Sequence, residues 1–287
     1  KMSVEITTAF VEQYSANIQL LSQQKGSRLS GAIRNESVTG KNAFFEQIGT
    51  VAARVRSSRH ADTPRMDTPH SRRRVSLVDY DWADLIDNED KVRMLIDPTS
   101  SYAASAAYAM GRAKDDAIIT AATGTAYTGV SGGTATTLPS AQKVAVAASG
   151  LTLAKLLSAK EILDAGEVDP DIPRYIALTA GQVTDLLNTT EIKSSDYNTV
   201  KALAQGQIDT YMGFKFLQTE RLGTDASGDR QVICWAQDGL LLATGKDASA
   251  KISERDDKNY ATQVFYSQTI GATRMEEAKV VEIACAE

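Results

Sequence analysis

Between Glu5 and Gln24 the apolar residues Phe10, Val11, Tyr14, Ile18 and Leu21 recur at helical spacing on one face, and Gly26 supplies a stop, which predicts an amphipathic arm. The following stretch, Gly26 to Thr39, is polar and rich in Ser, Gly and Asn, and reads as a connector with little core of its own. From Phe44 to Arg56 the period changes: Val51, Ala53 and Val55 alternate with Ala52, Arg54 and Arg56, as in a strand. Pro64 and Pro69 interrupt the polar run Ser57 to Ser71, after which Arg73, Val75 and Leu77 alternate with Arg74, Ser76 and Val78. Two alternating flanks around an interrupted middle predict a long antiparallel hairpin with a wide tip. A lone hairpin buries too little surface to stand by itself, so its base must lie on another element.

Asp97-Pro98 is a helix start, since Asp accepts a backbone hydrogen bond as N-cap and proline suits the first helical position. Thr99 to Thr123 contains no proline, a single glycine (Gly111) and nine alanines, which predicts a packed spine helix about 37 Å long at the usual rise. Gly124 to Pro139 reads as a loop, and Leu151 to Ala165 as a second amphipathic helix. An alternation of strand and helix follows: Arg174 to Thr179 as strand, Ala180 to Asn188 as helix, Asn188 to Asn198 as polar loop, then Phe214 to Thr219 and Gln231 to Trp235 as strands. Thr262 to Ile270 and Ala278 to Ala284 are long candidate strands at the end.

With 287 residues the chain can bury a large core as one domain or two, and 43% hydrophobic with 23% charged residues is the composition of an ordinary globular protein. Aliphatic runs such as Val144 to Ala148 fall far short of the roughly twenty residues of a membrane-spanning helix. Glu5 and Glu12 stand where a secretory signal needs an uncharged core, so no export signal is read. Cys234 and Cys285, in apolar strand-like surroundings, are expected to be buried free thiols.

Charge changes the picture more than composition does. Seven of the sixteen arginines (Arg54, Arg56, Arg59, Arg65, Arg72, Arg73 and Arg74) fall between Val51 and Val75 beside only Asp62 and Asp67, a local charge of +5 in a chain of net −5. So polarised a chain is built to meet a partner of opposite charge, either nucleic acid or the acidic remainder of another copy.

Candidate chemistry elsewhere is thin. The glycine-rich loop 124–133 lacks the Lys-Ser/Thr and following helix of a phosphate-binding loop. His60 and His70 match no metal-ligand spacing, and neither sits beside a serine or cysteine in a nucleophile turn. Asp115-Asp116 and Asp256-Asp257 are adjacent, so they point apart and read as exposed charge rather than as an acid/base pair. No enzyme, metal or cofactor is expected. For the arginines, a solvated loop is the plainest account. A nucleic-acid-binding module is the alternative function, weakened because residues 46 to 79 hold no Phe, Tyr or Trp for base stacking. Arginine's planar fork also suits carboxylates across a protein interface, and contact between subunits is the favoured reading.

The order of parts, from amphipathic arm through basic hairpin, alanine-rich spine and αβ middle to long terminal strands, resembles the major capsid proteins of tailed bacteriophages with the Hong Kong 97-type fold, most of all those of short-tailed phages. Pro173-Arg174-Tyr175-Ile176-Ala177-Leu178-Thr179 and Met212-Gly213-Phe214-Lys215-Phe216 fit that pattern. The resemblance implies an α+β capsid fold with an N-terminal arm (1–39), extended loop (40–78), peripheral domain (79–150 and 251–287, spine helix 98–122) and axial domain (151–250). It implies hexamers and pentamers closing into an icosahedral head around double-stranded DNA, within the virion and assembled in the host bacterial cytoplasm. Implied partners are other copies of the chain, a separate scaffolding protein, a portal protein, packaged DNA bound without sequence preference and, optionally, a decoration protein, with no membrane. In this family the extended loop lies over a neighbour's spine helix and peripheral domain, which would use the seven arginines. The loop with Asn188, Lys193, Asp196 and Tyr197 would lie near the capsomer axis.

Overall fold

The computed structural model describes residues 22–56, 58–60, 62–63, 65–87, 99–188 and 210–287. The amphipathic arm, apart from its last residues, lies outside these, as do Asp97, Pro98 and the segment holding Lys193, Asp196 and Tyr197. Among the described residues the chain begins with β1 (Arg34–Ser37), the hairpin strands β2 (Asn42–Ile48) and β3 (His70–Ser76), β4 (Val78–Ile86) and the long helix α1 (Thr99–Thr123). There follow β5 (Ala126–Thr128), β6 (Thr134–Thr136), β7 (Lys143–Val144), helix α2 (Leu153–Ala165), β8 (Arg174–Leu178) and helix α3 (Ala180–Asn188). The chain ends with β9 (Thr210–Tyr211), β10 (Phe214–Gln218), β11 (Arg230–Ala236), β12 (Leu240–Arg255), β13 (Ala261–Arg274) and β14 (Val280–Cys285).

The strands form three sheets, ordered β1-β12-β13-β4, β7-β14-β11-β8-β10-β9 and β2-β3-β5-β6. The six-stranded sheet is the core: β11 and β14 are buried along nearly their whole length, as strands covered on both faces must be. Ile118 and Ala122 of α1, Leu156 and Leu163 of α2, and Ile176, Ile233 and Ile283 of the sheet share one cluster. Cys234 and Cys285 are buried in it, unbridged, and burial pushes both thiols up, Cys285 to about 11, so neither is a nucleophile near neutrality. Helix α2 is capped by Thr152, whose hydroxyl accepts from the Lys155 amide.

Three expectations are corrected. The polar connector has a core after all: Leu29, Ala32 and Ile33 are buried, and Trp235 Nε1 donates to the Ala32 carbonyl at 2.9 Å. Polar composition hid three apolar residues placed on the inner side of a tight turn. The sheet boundaries also differ from the division at 250/251. Strand β12 joins the long sheet from Leu240 onward, whereas β14, expected with the peripheral part, pairs with β11 and β7 in the six-stranded sheet. Finally, β2 ends at Ile48, and residues 51–56 form no strand in spite of their alternation.

Where β3 leaves the hairpin and β4 enters the long sheet, only Leu77 separates them. At this crossing Gly271 of β13 lies so close that a Cβ would sit 2.4 Å from the Ser76 carbonyl oxygen, so any side chain there would force the two sheets apart.

Candidate functional site

The hairpin places the arginines, and its register explains their division. Strands β2 and β3 pair from Asn42↔Ser76 to Ile48↔His70, and the Gly49 amide still donates to the Pro69 carbonyl at 2.8 Å. Beyond that point residues 50–69 leave the ladder. Arg54, Arg56, Arg59 and Arg65 all lie in this exposed tip, and none forms an ion pair among the described residues; Arg56 donates to the carbonyls of Ser58 and Arg59. Val55 is 89% exposed, with Ile48, Val51 and Met66 exposed beside it.

The remaining three arginines are committed inside the chain. Arg72 pairs across the ladder with Glu46 and lies over the Phe44 ring. Arg73 is 4% exposed: its Nε donates to the Met275 carbonyl at 2.8 Å, and its guanidinium pairs with Glu277. Arg74 stacks on Tyr127 of β5, with 4.6 Å from its guanidinium carbon to the ring centre. Reading Arg72 to Arg74 as one outward patch is therefore corrected. Alternation put Arg73 and Arg74 on opposite faces of β3, and both faces are covered, one by the end of β13 and the other by β5.

Glu277 also faces Arg274, at 3.6 Å, and Arg274 is fully buried. Its Nη1 donates to the carbonyls of Ala122 and Gly124 and its Nη2 to that of Thr136. A cation thus closes the C-terminal end of α1, where unpaired carbonyls and the helix dipole favour positive charge. Burial lowers the Arg274 pKa, with Glu277 opposing that shift and Arg73 adding to it. One carboxylate consequently joins the base of the hairpin to the end of the spine.

Asp115, expected to be exposed, is fully buried on α1. It accepts from the backbone amides of Arg28 (3.0 Å) and Leu29 (3.2 Å), from Ser27 Oγ and from Gln24 Nε2. The sequence signal for this contact was Gly111, the lone glycine of α1: a Cβ there would lie 2.5 Å from Gly26 Cα, so it marks where another backbone crosses the helix. Asp116, one residue on, pairs bidentately with Arg221. Asn188 closes α3; Lys193, Asp196 and Tyr197 lie outside the described residues.

Chemically, the arrangement holds and reaches but does not catalyse. Among the described residues no cluster of three or more His, Cys, Asp or Glu could hold a metal, and the glycine-rich turn between β5 and β6 packs on the stem of Arg74. The tip instead offers unpaired guanidinium groups and exposed apolar side chains on a braced support.

The family model for phage capsid protein matches residues 6–287. No curated protein matches the sequence. Among solved structures, the capsid of cyanophage P-SCSP1u is similar, with TM-score 0.76 and 16% identity over 98% of this chain and 94% of that one. The cyanophage Pam1 capsid gives 0.73 and 14% over 100% and 99%, and the capsid of a native GTA particle 0.73 and 14% over 100% of both. Their shared architecture is the mixed α+β, Hong Kong 97-type capsid fold. Sequence family and fold agree over almost the full length: the chain belongs to the phage capsid protein family, as a major capsid protein that self-assembles to form the head of the virion.

Proposed function

We propose that this capsid protein forms hexamers and pentamers that close into an icosahedral shell around double-stranded DNA, and that the hairpin tip is the arm by which one copy grips the next. The observation that carries this reading is the contrast between a base fixed by Arg73 and Arg74 and an exposed tip whose four arginines have no ion pair among the described residues. Phe44 and Tyr127, the aromatic rings nearest the cluster, already carry Arg72 and Arg74, which leaves none for stacking bases and favours a protein partner over nucleic acid. On the same reading, residues 1–39 are the arm, 40–78 the extended loop, 98–122 the spine and 151–250 most of the axial domain. The axial domain presents Asn188, Lys193, Asp196 and Tyr197 toward the capsomer centre. A separate scaffolding protein and a portal protein complete assembly in the host cytoplasm, and DNA is held without sequence preference.

The test is to replace residues 50–68 by Asn-Gly, the two-residue turn best suited to a tight hairpin. The Gly49–Pro69 hydrogen bond keeps the ends in place, so the subunit should fold. Electron microscopy should then find capsomer-free protein where the unaltered chain, expressed with its scaffold, gives shells. Normal shells from the shortened chain would overturn the role of the tip.

A further inference from the structure

Residues 51–56 carry the alternation of a strand, with Val51, Ala53 and Val55 on one side and Ala52, Arg54 and Arg56 on the other, yet no strand pairs with them. A strand pattern without a ladder is an unspent pairing edge. Elsewhere in the chain lies its complement. Strand β4 is the outermost strand of the long sheet, and its second edge is unpaired among the described residues. Asp79, Asp81, Leu85 and Asp87 are exposed on one of its faces, while Tyr80 and Trp82 are half-buried on the other. Asp79 shares one carboxylate oxygen with the Thr269 hydroxyl, and the sequence from Ser76 to Asp90 holds six acidic residues and no Lys or Arg.

The most basic and most acidic stretches of the chain thus stand on either side of β3, and no ion pair joins the tip arginines to the β4 aspartates among the described residues. Connectivity keeps them apart. Strand β3 returns from the tip to Ser76, and β4 then leaves for a different sheet, so the two charged regions lie at opposite ends of one extended run.

Resting on the reading of the tip as a contact between copies, we propose that residues 51–56 of one copy add as an outer strand to the free edge of β4 in the next. The pairing sets Arg54 and Arg56 on the face of Asp79, Asp81 and Asp87, and Val51 and Val55 on the face of Tyr80 and Trp82. Main-chain hydrogen bonds hold the added strand, and side-chain alternation sets its register. The contact is heterologous, with tip and edge on separate patches, and repeated head to tail it closes a ring. The aspartates also exclude the wrong partner, because two β4 edges brought together would oppose like charges.

Charge exchange tests this in the full chain expressed with its scaffold. R54E/R56E and D81K/D87K should each lower shell yield about tenfold or more at about 0.15 M salt, with subunit melting unchanged. Combining all four substitutions should restore shells, as should mixing the two variants, since tips and edges can then alternate around a hexamer. Independently of charge, one of Ala52→Pro and Ala53→Pro should block assembly and the other spare it, because successive amides point to opposite sides of a strand. Wild-type-like assembly of D81K/D87K, or a combined variant no better than its parents, overturns the pairing while leaving the shell function intact. A wild-type chain that never forms capsomers sinks both.

Discussion

Arg73 and Arg54 belong to one hairpin and carry the same charge, yet they do opposite work. Arg73 is buried against Glu277 and the Met275 carbonyl and is part of the fold, whereas Arg54 is exposed with no ion pair among the described residues. Net charge alone treats them alike. The distinction comes from the ladder, which holds Arg73 between β13 and β5 and has already ended before Arg54 is reached. A cluster of like charges is therefore two devices, a clamp and a hand, divided at Gly49 and Pro69.

The clamp is where substitution should hurt most. Arg73→Glu sets a second carboxylate against Glu277 in a buried site, and unfolding experiments should read a loss of about 3–5 kcal/mol; an unchanged melting temperature would erase the contrast between base and tip. Asp115→Ala leaves the amides of Arg28 and Leu29 without their acceptor, at a cost of about 1–3 kcal/mol, and should raise amide exchange there before elsewhere. A smaller effect is expected from pH. Arg230 and Gln182 hold the Glu287 carboxyl down at about 2 from its usual 4.5. Its folded value is depressed, so the stabilisation is complete above the ordinary value and is lost as pH falls from about 4.5 toward 2. The pair is partly exposed, so its worth is below about 1 kcal/mol, and Glu287→Gln should flatten the acid limb of the stability curve by that amount. Smallest of all, reversing Arg54, Arg56, Arg59 and Arg65 should leave subunit stability within about 0.5 kcal/mol. Any larger loss by calorimetry would place the tip in the clamp's class.

The elements whose stability is local were legible in the chain. Helix α1 starts within a residue of the expected position, α2 within two residues and α3 on it, because alanine content, a Thr cap and apolar spacing act within a few turns. Strand β12 was not legible: its outer half, from Gly245 to Arg255, is mostly exposed and polar, and it is a strand because β13 pairs with its backbone. The hairpin base could be read, but not which arginines would be enclosed, since periodicity assigns faces and not what covers them. Asp115 failed for the same reason, although Gly111 four residues before it announced the crossing.

The hairpin's attachment has a mechanical consequence. Through Leu77 it continues into β4, whose nine paired positions run along β13, and through Arg73 it is fastened to residues just past the end of that same strand. Two fixings on one strand make a cantilever with a clamped root: its heading cannot swivel, and only its free end can deflect. A tug on that end from an expanding shell would be borne lengthwise by the β4–β13 ladder, in shear across many bonds at once instead of by unzipping them singly.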